Sequence, residues 1–521
     1  MISRLEKLFF ALLALFPFGM GAVYALINMT GGWSRFVKDR DYSFYLLNAL
    51  ESSHIAFALV TCAVLILVLC FLCKAPIFEK SSVRKVLFCV LAVFSLAFML
   101  RLAFFLAYGS GIANTFDPGE AWVRAGGTLK GDDVRITDWG RYCPWWLYYS
   151  LLMKFFISVF GDRFDLFMAL QTLFGGFTAA AVFLLGRTVS GSHRVGLLAS
   201  LIYAVNPSGV VYYTACGNAE HIAIAFHVMA VLFAVVLLKE TSLLSWGKLL
   251  VISSFAGVVV AVGDAFKPIF PIYAVAFAGV IFLKVVKTES TVRFAVLKRL
   301  LSSLVVIIAF RQIILSAFIM TTQSVFGIKA VMADAAPHSI SVGLERGGEG
   351  QVFRSMTGVK YFKMRSDGVS RTDAAATVGR EVLEGWYGHW DEIPSFFLKK
   401  SIWAWQDDCC AFYYFRYNRL RGGGVAKEKI DLLCEYGSHI SLVMYFVVML
   451  LAFGFAFSAA LGRKSYGFGH LFCALVLVGF FMLLAISESA MRYKVVIMPY
   501  VFIYAACTLK TFLENSASCG D

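Results

Sequence analysis

Charged side chains are scarce in this chain. They make up 15% of 521 residues, against 60% hydrophobic. A typical soluble domain carries about 25% charged residues. A chain with a mean hydropathy of +0.75 cannot hide its apolar surface in a water-soluble core, so that class is excluded. Apolar runs of about 20 residues recur instead, the length that crosses a bilayer. A second CxxC pair is also missing, because Cys70 and Cys73 stand alone. That removes the usual spacing of a zinc site. No internal repeat of the kind found in many secondary transporters is present. Acids are outnumbered, 33 to 47, giving a net charge of +14. Much of that base lies in short loops between apolar runs, where it anchors a membrane protein on its cytoplasmic side. Anionic headgroups of the lipid bilayer are its expected partners, and no nucleic acid is.

What is present is a series of twelve candidate spans, at 8–28, 54–73, 86–108, 165–186, 195–215, 219–238, 246–264, 269–286, 295–319, 438–461, 468–486 and 494–511. The sequence therefore predicts an all-α polytopic membrane protein. Arg4 and Lys7 precede the first span, and basic pairs follow alternate spans at Lys74–Lys85, Arg187–Arg194, Lys239–Lys248, Lys284–Arg299 and Arg463–Lys464. These charges fall on one face, taken as cytoplasmic. Arg35, Lys38 and Arg40 in the 29–53 loop fall on the other, against the trend. The first apolar run is expected to remain as a span rather than to be cleaved near "GMGA" or "VYA". Cys62, Cys70, Cys73, Cys89, Cys473 and Cys507 sit in or beside spans, where a thiol acts as a small hydrophobe. Cys143, Cys216, Cys409, Cys410 and Cys434 fall outside, where a disulfide can form; its pairing stays open.

Two long outer segments remain, 109–164 and 320–437. The first contains "CPWWLYYSLLMKFFISVFG" (143–161), aromatic and interrupted by Lys154, which reads as a helix in the outer interface. The second has a polar Gly-rich part, 341–380, then "DEIPSFFLKKSIWAWQDD", a further interfacial helix. Recurrent aromatics make it a small extramembrane subdomain rather than a disordered loop. The organisation is then two N-terminal spans in 1–80, a core in 81–319, the subdomain in 320–437 and a final group of spans in 438–521.

Charges within spans are costly, and each needs a reason. Arg101, Asp264, Lys267 and Arg311 lie toward the outer ends of their spans, as do Glu220, His221, Glu488, Arg492 and Tyr493. Asp117 and Glu120, in "NTFDPGEAWVRAGG", follow an apolar run on the same side. Snorkelling to the headgroups accounts for Arg124, Arg163 and Lys494. Arg101, Lys267 and Arg311 at one depth beside carboxylates instead suit a bound phosphate and a reacting hydroxyl. His227, alone in mid-span, reads as a satisfied core histidine. Asp117 also suits a helix N-cap, since "DPGE" places Pro at the first helical position and an acid after it.

Several segments together resemble a family. They are the Arg101-bearing span, "FDPGEAW", the aromatic helix ending "FG", and the run from "DLFMALQTLFGG" through "YAVNPSGVVYYTACGNAEHIAI". "GDAFKPIF" and "ESAMRYKVVIMPY" complete the pattern. It resembles the GT-C membrane glycosyltransferases of the dolichyl-phosphate-mannose–protein mannosyltransferase and aminoarabinose transferase superfamily. Asn206-Pro207, Tyr212, Tyr213 and Glu220 fill the places of one family segment, Lys267 of another, and Glu488, Arg492, Tyr493 and Pro499 of a third. The likeness covers roughly 86–512, with two extra spans ahead of it.

The resemblance implies a GT-C-like bundle of about twelve spans and transfer of a sugar from a polyprenyl-phosphate donor at the extracytoplasmic face. It implies donor-phosphate contacts from Arg101, Lys267, Arg311 and Arg492. Asp117 is the first choice of general base and Glu120 the second; relatives often have an Asp-Glu pair there, whereas this chain has "FDPGEAW". Asp132-Asp133 or Asp138 are alternatives, and Asp138, Tyr212, Glu220, His221, Asp264, Glu488 and Tyr493 are candidate substrate contacts. A single displacement would invert the anomeric centre. No cofactor is expected. The first outer loop has no Asp-x-Asp, so no divalent metal is required, although some relatives bind one. The acceptor, whether glycan, lipid or protein, is not specified. A bacterial plasma membrane is the expected location, with the endoplasmic reticulum as the alternative. The rival function is a lipid or small-molecule transporter or flippase.

Overall fold

The computed structural model of the chain describes residues 2–29, 52–74, 82–109, 117–128, 144–215, 218–328, 335–348, 355–405, 411–412, 415–416, 426–463, 466–488 and 491–518. Asp132, Asp133, Asp138, Cys143, Cys216, Cys409 and Cys410 lie outside these residues, as do Arg35, Lys38 and Arg40. Among the described residues every regular element is helical.

The first span, α1 (Ser3–Ile27), widens into a π-helical stretch over Ala14–Met20, which accommodates the missing N–H of Pro17. Next come α2 (Ser52–Lys74), α3 (Val83–Tyr108) and the short α4 (Asp117–Arg124). The aromatic stretch forms α5 (Pro144–Phe160), one face buried through Leu147, Tyr148 and Met153, with Phe155 and Phe160 exposed on the other. Then follow α6 (Phe164–Ser190), α7 (His193–Val205), α8 (Pro207–Ala215), α9 (Glu220–Glu240), α10 (Trp246–Phe266), α11 (Phe270–Lys287) and α12 (Ser290–Phe326).

The outer segment supplies α13 (Ala335–Leu344), α14 (Met356–Ser366), α15 (Arg371–Trp386) and α16 (Ile393–Trp405). The part expected to be merely polar and Gly-rich therefore holds two capped helices. Glu345 accepts from the Met356 and Thr357 N–H groups at 3.1 and 3.2 Å, closing the start of α14. Ser370 accepts from the Asp373 N–H and donates to its carboxylate at the start of α15. The chain ends with α17 (Lys427–Ala460), α18 (Phe468–Ile486), a 3-10 turn at Met491–Val496 and α19 (Met498–Ser518). Both α12 and α17 extend beyond the spans expected at 295–319 and 438–461.

Nine helices among the described residues are long and apolar enough to cross a membrane, and the pair α7–α8 makes a tenth. The other two expected spans are occupied by α2 and α19. The protein is an all-α polytopic membrane protein. One expectation changes: 195–215 is not a straight span but two helices meeting at 55°. Pro207 cannot donate to the carbonyl one turn back and ends α7.

The basic loops gather at one end of the bundle. Lys287 pairs with Glu6 at 2.6 Å, Lys239 donates to the Thr188 carbonyl, and Arg299 donates to the Thr241 and Leu244 carbonyls at 2.8 and 2.7 Å. The helix breaks described below lie at the opposite end. The thiols of Cys62, Cys89, Cys434, Cys473 and Cys507 are buried, and none of the five forms a disulfide. For Cys434 this corrects the expected outer disulfide: its Sγ donates to the Phe412 carbonyl at 3.6 Å.

Candidate functional site

Three helix breaks meet at the end remote from the basic loops. They are the α7–α8 break at Asn206, the α10–α11 break at Lys267–Ile269, and the segment from Ser487 to Ile497 between α18 and α19. Each exposes backbone groups that a continuous helix would satisfy, and each is repaired by a side chain from elsewhere.

At the first break, Pro207 leaves the Tyr203 carbonyl without its helical donor. Arg101 supplies one. Its Nη2 donates to Tyr203 O at 3.3 Å, and its Nη1 to Ala204 O at 3.2 Å and Ala97 O at 3.0 Å. The guanidinium also faces the Tyr203 and Tyr213 rings at 4.9 and 5.0 Å. Arg101 is 0% exposed. Buried among carbonyls, the group positions the break. Asn206 adds a turn of its own, its Oδ1 accepting from the Gly209 N–H at 2.6 Å.

At the second break, Asp264 does the equivalent work. One carboxylate oxygen accepts from the Ile269 and Phe270 N–H groups at 2.9 and 3.0 Å, capping α11. The other accepts from Arg311 at 2.6–2.7 Å. Asp264 is 0% exposed, and its pair with Arg311, whose side chain is 17% exposed, braces the turn. His227 holds the same turn through a 2.9 Å hydrogen bond between its Nε2 and the Lys267 carbonyl. It is a core histidine, as the sequence suggested, but only half satisfied: its Nδ1 is buried without a hydrogen-bond partner.

This bracing projects the Lys267 side chain toward the start of α9 and the 3-10 turn at Met491–Val496. Its ammonium lies 3.3 Å from a Glu220 carboxylate oxygen and 3.7 Å from the centre of the Tyr493 ring. The Tyr493 hydroxyl donates to Glu488 at 2.8 Å. Glu220, Lys267, Tyr493 and Glu488 thus form one linked cluster drawn from three separate parts of the chain. Arg492 belongs to the same 3-10 turn, but its side chain lies outside the described residues.

Tyr212 and His221 lie on either side of the α8–α9 corner. Both are buried, and the His221 ring stacks on Tyr213 at 4.4 Å and meets Tyr212 edge-on at 4.5 Å. Tyr212 accepts from Asn218 at 3.2 Å. These residues brace the α8–α9 corner, and Tyr212 also lines a small cavity with Asn206 and Met498. Lys494, expected at ordinary interfacial depth, is 0% exposed and donates to the Ala404 carbonyl at 3.2 Å.

The helix α4 begins at Asp117, whose side chain lies outside the described residues. Glu120 pairs with Arg124 on the same helix at 2.8 Å. Aromatic contacts connect α4 to the cluster: Trp122 meets Phe167, Phe167 meets Tyr149, and Tyr149 meets Phe266, the residue before Lys267, with ring centres 5.7, 5.9 and 6.4 Å apart.

Asp162, which sequence reasoning did not single out, fixes that helix in place. It accepts from Trp122 Nε1 at 3.0 Å, from the Thr128 N–H at 2.8 Å and from the Thr128 hydroxyl. Its only sequence signal was a position just after Gly161, which turns the chain at φ +77°. Asp162→Ala is expected to loosen α4. Losing these bonds should speed backbone amide exchange over 117–128 by about tenfold, or roughly 1.4 kcal/mol. Unchanged exchange there would remove Asp162 from this role.

No family model matches the chain, and no curated protein matches it. Among solved structures it is similar to an archaeal oligosaccharyltransferase, AglB from Archaeoglobus fulgidus, in complex with an inhibitory peptide and a dolichol-phosphate, at 16% identity and a TM-score of 0.32. The match covers 80% of this chain and 56% of that one, so the chain spans little more than half the length of its structural neighbour. At that degree of likeness, what the protein does must be argued from its own residues.

Proposed function

We propose that the protein is a GT-C-type integral-membrane glycosyltransferase that moves a sugar from a polyprenyl-phosphate donor to an acceptor hydroxyl at the extracytoplasmic face. The observation that carries this reading is the Lys267–Glu220–Tyr493–Glu488 cluster, gathered at one end of the bundle from the α10–α11 break, the start of α9 and the turn before α19. Ionisable groups at membrane depth are costly and mark functional sites. An ammonium held rigidly in such a place suits a phosphate whose lipid tail lies among the spans.

In this reading the acceptor oxygen attacks the anomeric carbon and the bond from that carbon to the phosphate oxygen breaks. Polyprenyl phosphate leaves as an anion, and Lys267 meets the charge as it develops. Arg492, on the turn that carries Tyr493, is a second candidate contact. The acceptor proton passes to a carboxylate acting as general base, for which Asp117 at the start of α4 is the choice. Glu120 is less suited, because its carboxylate is paired with Arg124. A single displacement inverts the sugar.

The transporter reading is less well supported. Transport needs polar groups near the midplane, reachable from both sides. Here the linked charges sit at one end, and His227, deeper in the bundle, holds a backbone carbonyl.

The test is donor turnover by purified protein in lipid, supplied with labelled polyprenyl-phosphate sugars and a panel of acceptors. Wild type is expected to release polyprenyl phosphate, and Asp117→Asn to do so at least about 10²-fold more slowly. Failure of wild type to bind any such donor would sink the transferase. Full activity in Asp117→Asn would move the base elsewhere.

A further inference from the structure

Three helices end beside the outer subdomain: α13 at Leu344, α18 at Ile486 and α16 at Trp405. The last carbonyls of a helix lack intrahelical donors and carry partial negative charge. Two buried lysines serve them. Lys494 donates to Ala404 O near the end of α16. Lys400, 1% exposed, donates to Gly343 O at 2.5 Å and to Ala485 O at 2.8 Å. One amine therefore joins the end of a subdomain helix to the end of a membrane-spanning one.

The surrounding contacts make this a fitted joint. Gly343 lies flat on Ser487, where a Cβ would come within 2.2 Å of the Ser487 carbonyl carbon. The Glu488 N–H donates to Ser339 O in α13 at 2.8 Å. The Glu488 carboxylate accepts from Tyr493, whose ring underlies Lys267. Burying a lysine is expensive, and a methionine of similar length would fill the space without that cost. What lysine adds here is a set of donors for carbonyls belonging to two different bodies.

We propose that Lys400 is a positioning residue that latches the outer subdomain onto the end of α18 and, through Glu488 and Tyr493, sets Lys267. The docking stands on the geometry alone; its consequence for turnover rests on the transferase reading.

Burial pushes the Lys400 amine from its ordinary 10.5 down to about 7, with Glu488 acting in the opposite direction. The titratable and charged groups on the elements around Lys400 are Tyr24 on α1, His338 on α13, His470 on α18, Glu488 after it, Arg492, Tyr493 and Lys494 on the 3-10 turn, Asp391 and Glu392 just before α16, and the neighbouring Lys399. Glu392 is held by Arg346 at 2.7 Å. The undocked amine keeps its proton up to about pH 10.5, whereas the docked amine sheds it near 7. Undocking therefore takes up a proton in that window, and docking strengthens as pH rises from about 7 toward 10.5.

The test is hydrogen–deuterium exchange on the full chain in lipid nanodiscs. Lys400→Met is expected to speed exchange over 335–344 and 356–386 about tenfold at pH 9, with α6 and α9 unchanged. The ratio of variant to wild type should grow with pH, a response that lost packing alone would not give. Lys400→Arg, which retains donors and stays charged, should keep the docking and flatten its pH response. Gly343→Ala probes the same joint if Lys400→Met fails to fold, and should also raise exchange in both segments. Wild-type exchange rates in Lys400→Met, or a ratio that does not change with pH, would overturn the latch. So would unaltered exchange in Gly343→Ala. None of these readouts depends on sugar transfer, so failure of the latch and failure of the transferase are separable.

Discussion

Lys267→Met is expected to lower turnover of a polyprenyl-phosphate sugar about 10³-fold while leaving the fold intact. Removing a preorganised charge from where negative charge develops costs about 10²–10³ in rate. Lys267 is the cation that the α10–α11 turn projects into the cluster, with Asp264, Arg311 and His227 holding its backbone. Its partner Glu220 would be left as an uncompensated carboxylate, so a folding loss must be separated from a chemical one. Lys267→Met combined with Glu220→Gln removes that complication. The double variant should unfold at close to the wild-type temperature and remain inactive. Release of polyprenyl phosphate at the wild-type rate by either variant would exclude Lys267 from the reaction.

Arg101→Ala acts on stability instead. It leaves the Tyr203 and Ala204 carbonyls unserved at the Pro207 break and opens a cavity against Tyr203 and Tyr213. Each buried group left without a partner costs about 1–3 kcal/mol, and loss of a large buried side chain adds a cavity term, so a total of roughly 3–5 kcal/mol is expected. Gly175 makes room for this side chain: a Cβ there would lie 2.2 Å from Arg101 Cδ. Gly175→Ala should therefore destabilise the wild type and do far less harm when Arg101 is already alanine. Denaturant unfolding of the two single variants and the double variant measures that coupling. Additive losses would mean that Arg101 and Gly175 do not share the space the structure gives them.

Much of the site's composition was legible in the sequence. Lys267, Glu220, Glu488 and Tyr493 stood out as polar residues near the ends of apolar runs, and the structure places them side by side. The division of labour was not legible. Arg101, Asp264 and Arg311 stood out in the sequence as Lys267 did, yet Arg101 and Asp264 serve backbone groups at two helix breaks and Arg311 pairs with Asp264. A charge that repairs a break and a charge that faces a ligand look identical in one dimension. Lys494 was misplaced for a related reason. Its position in the chain suggested the interface, but the carbonyl it serves belongs to a helix about ninety residues away. Lys400 left only a faint trace, a lysine among Phe396, Phe397 and Ile402 on a short helix.

The sequence by itself determined that the protein is all-helical, where its spans lie and that its basic loops gather at one end. Those properties follow from the length of apolar runs and the placement of charge, both local along the chain. Tertiary structure alone decided that one span bends at Asn206, that α13 and α16 pack against the end of α18, and which buried ion meets which partner. Those outcomes depend on which helix ends come together in space. Inside a membrane an unserved backbone group must find a donor wherever the fold brings one, however far away in sequence that donor lies.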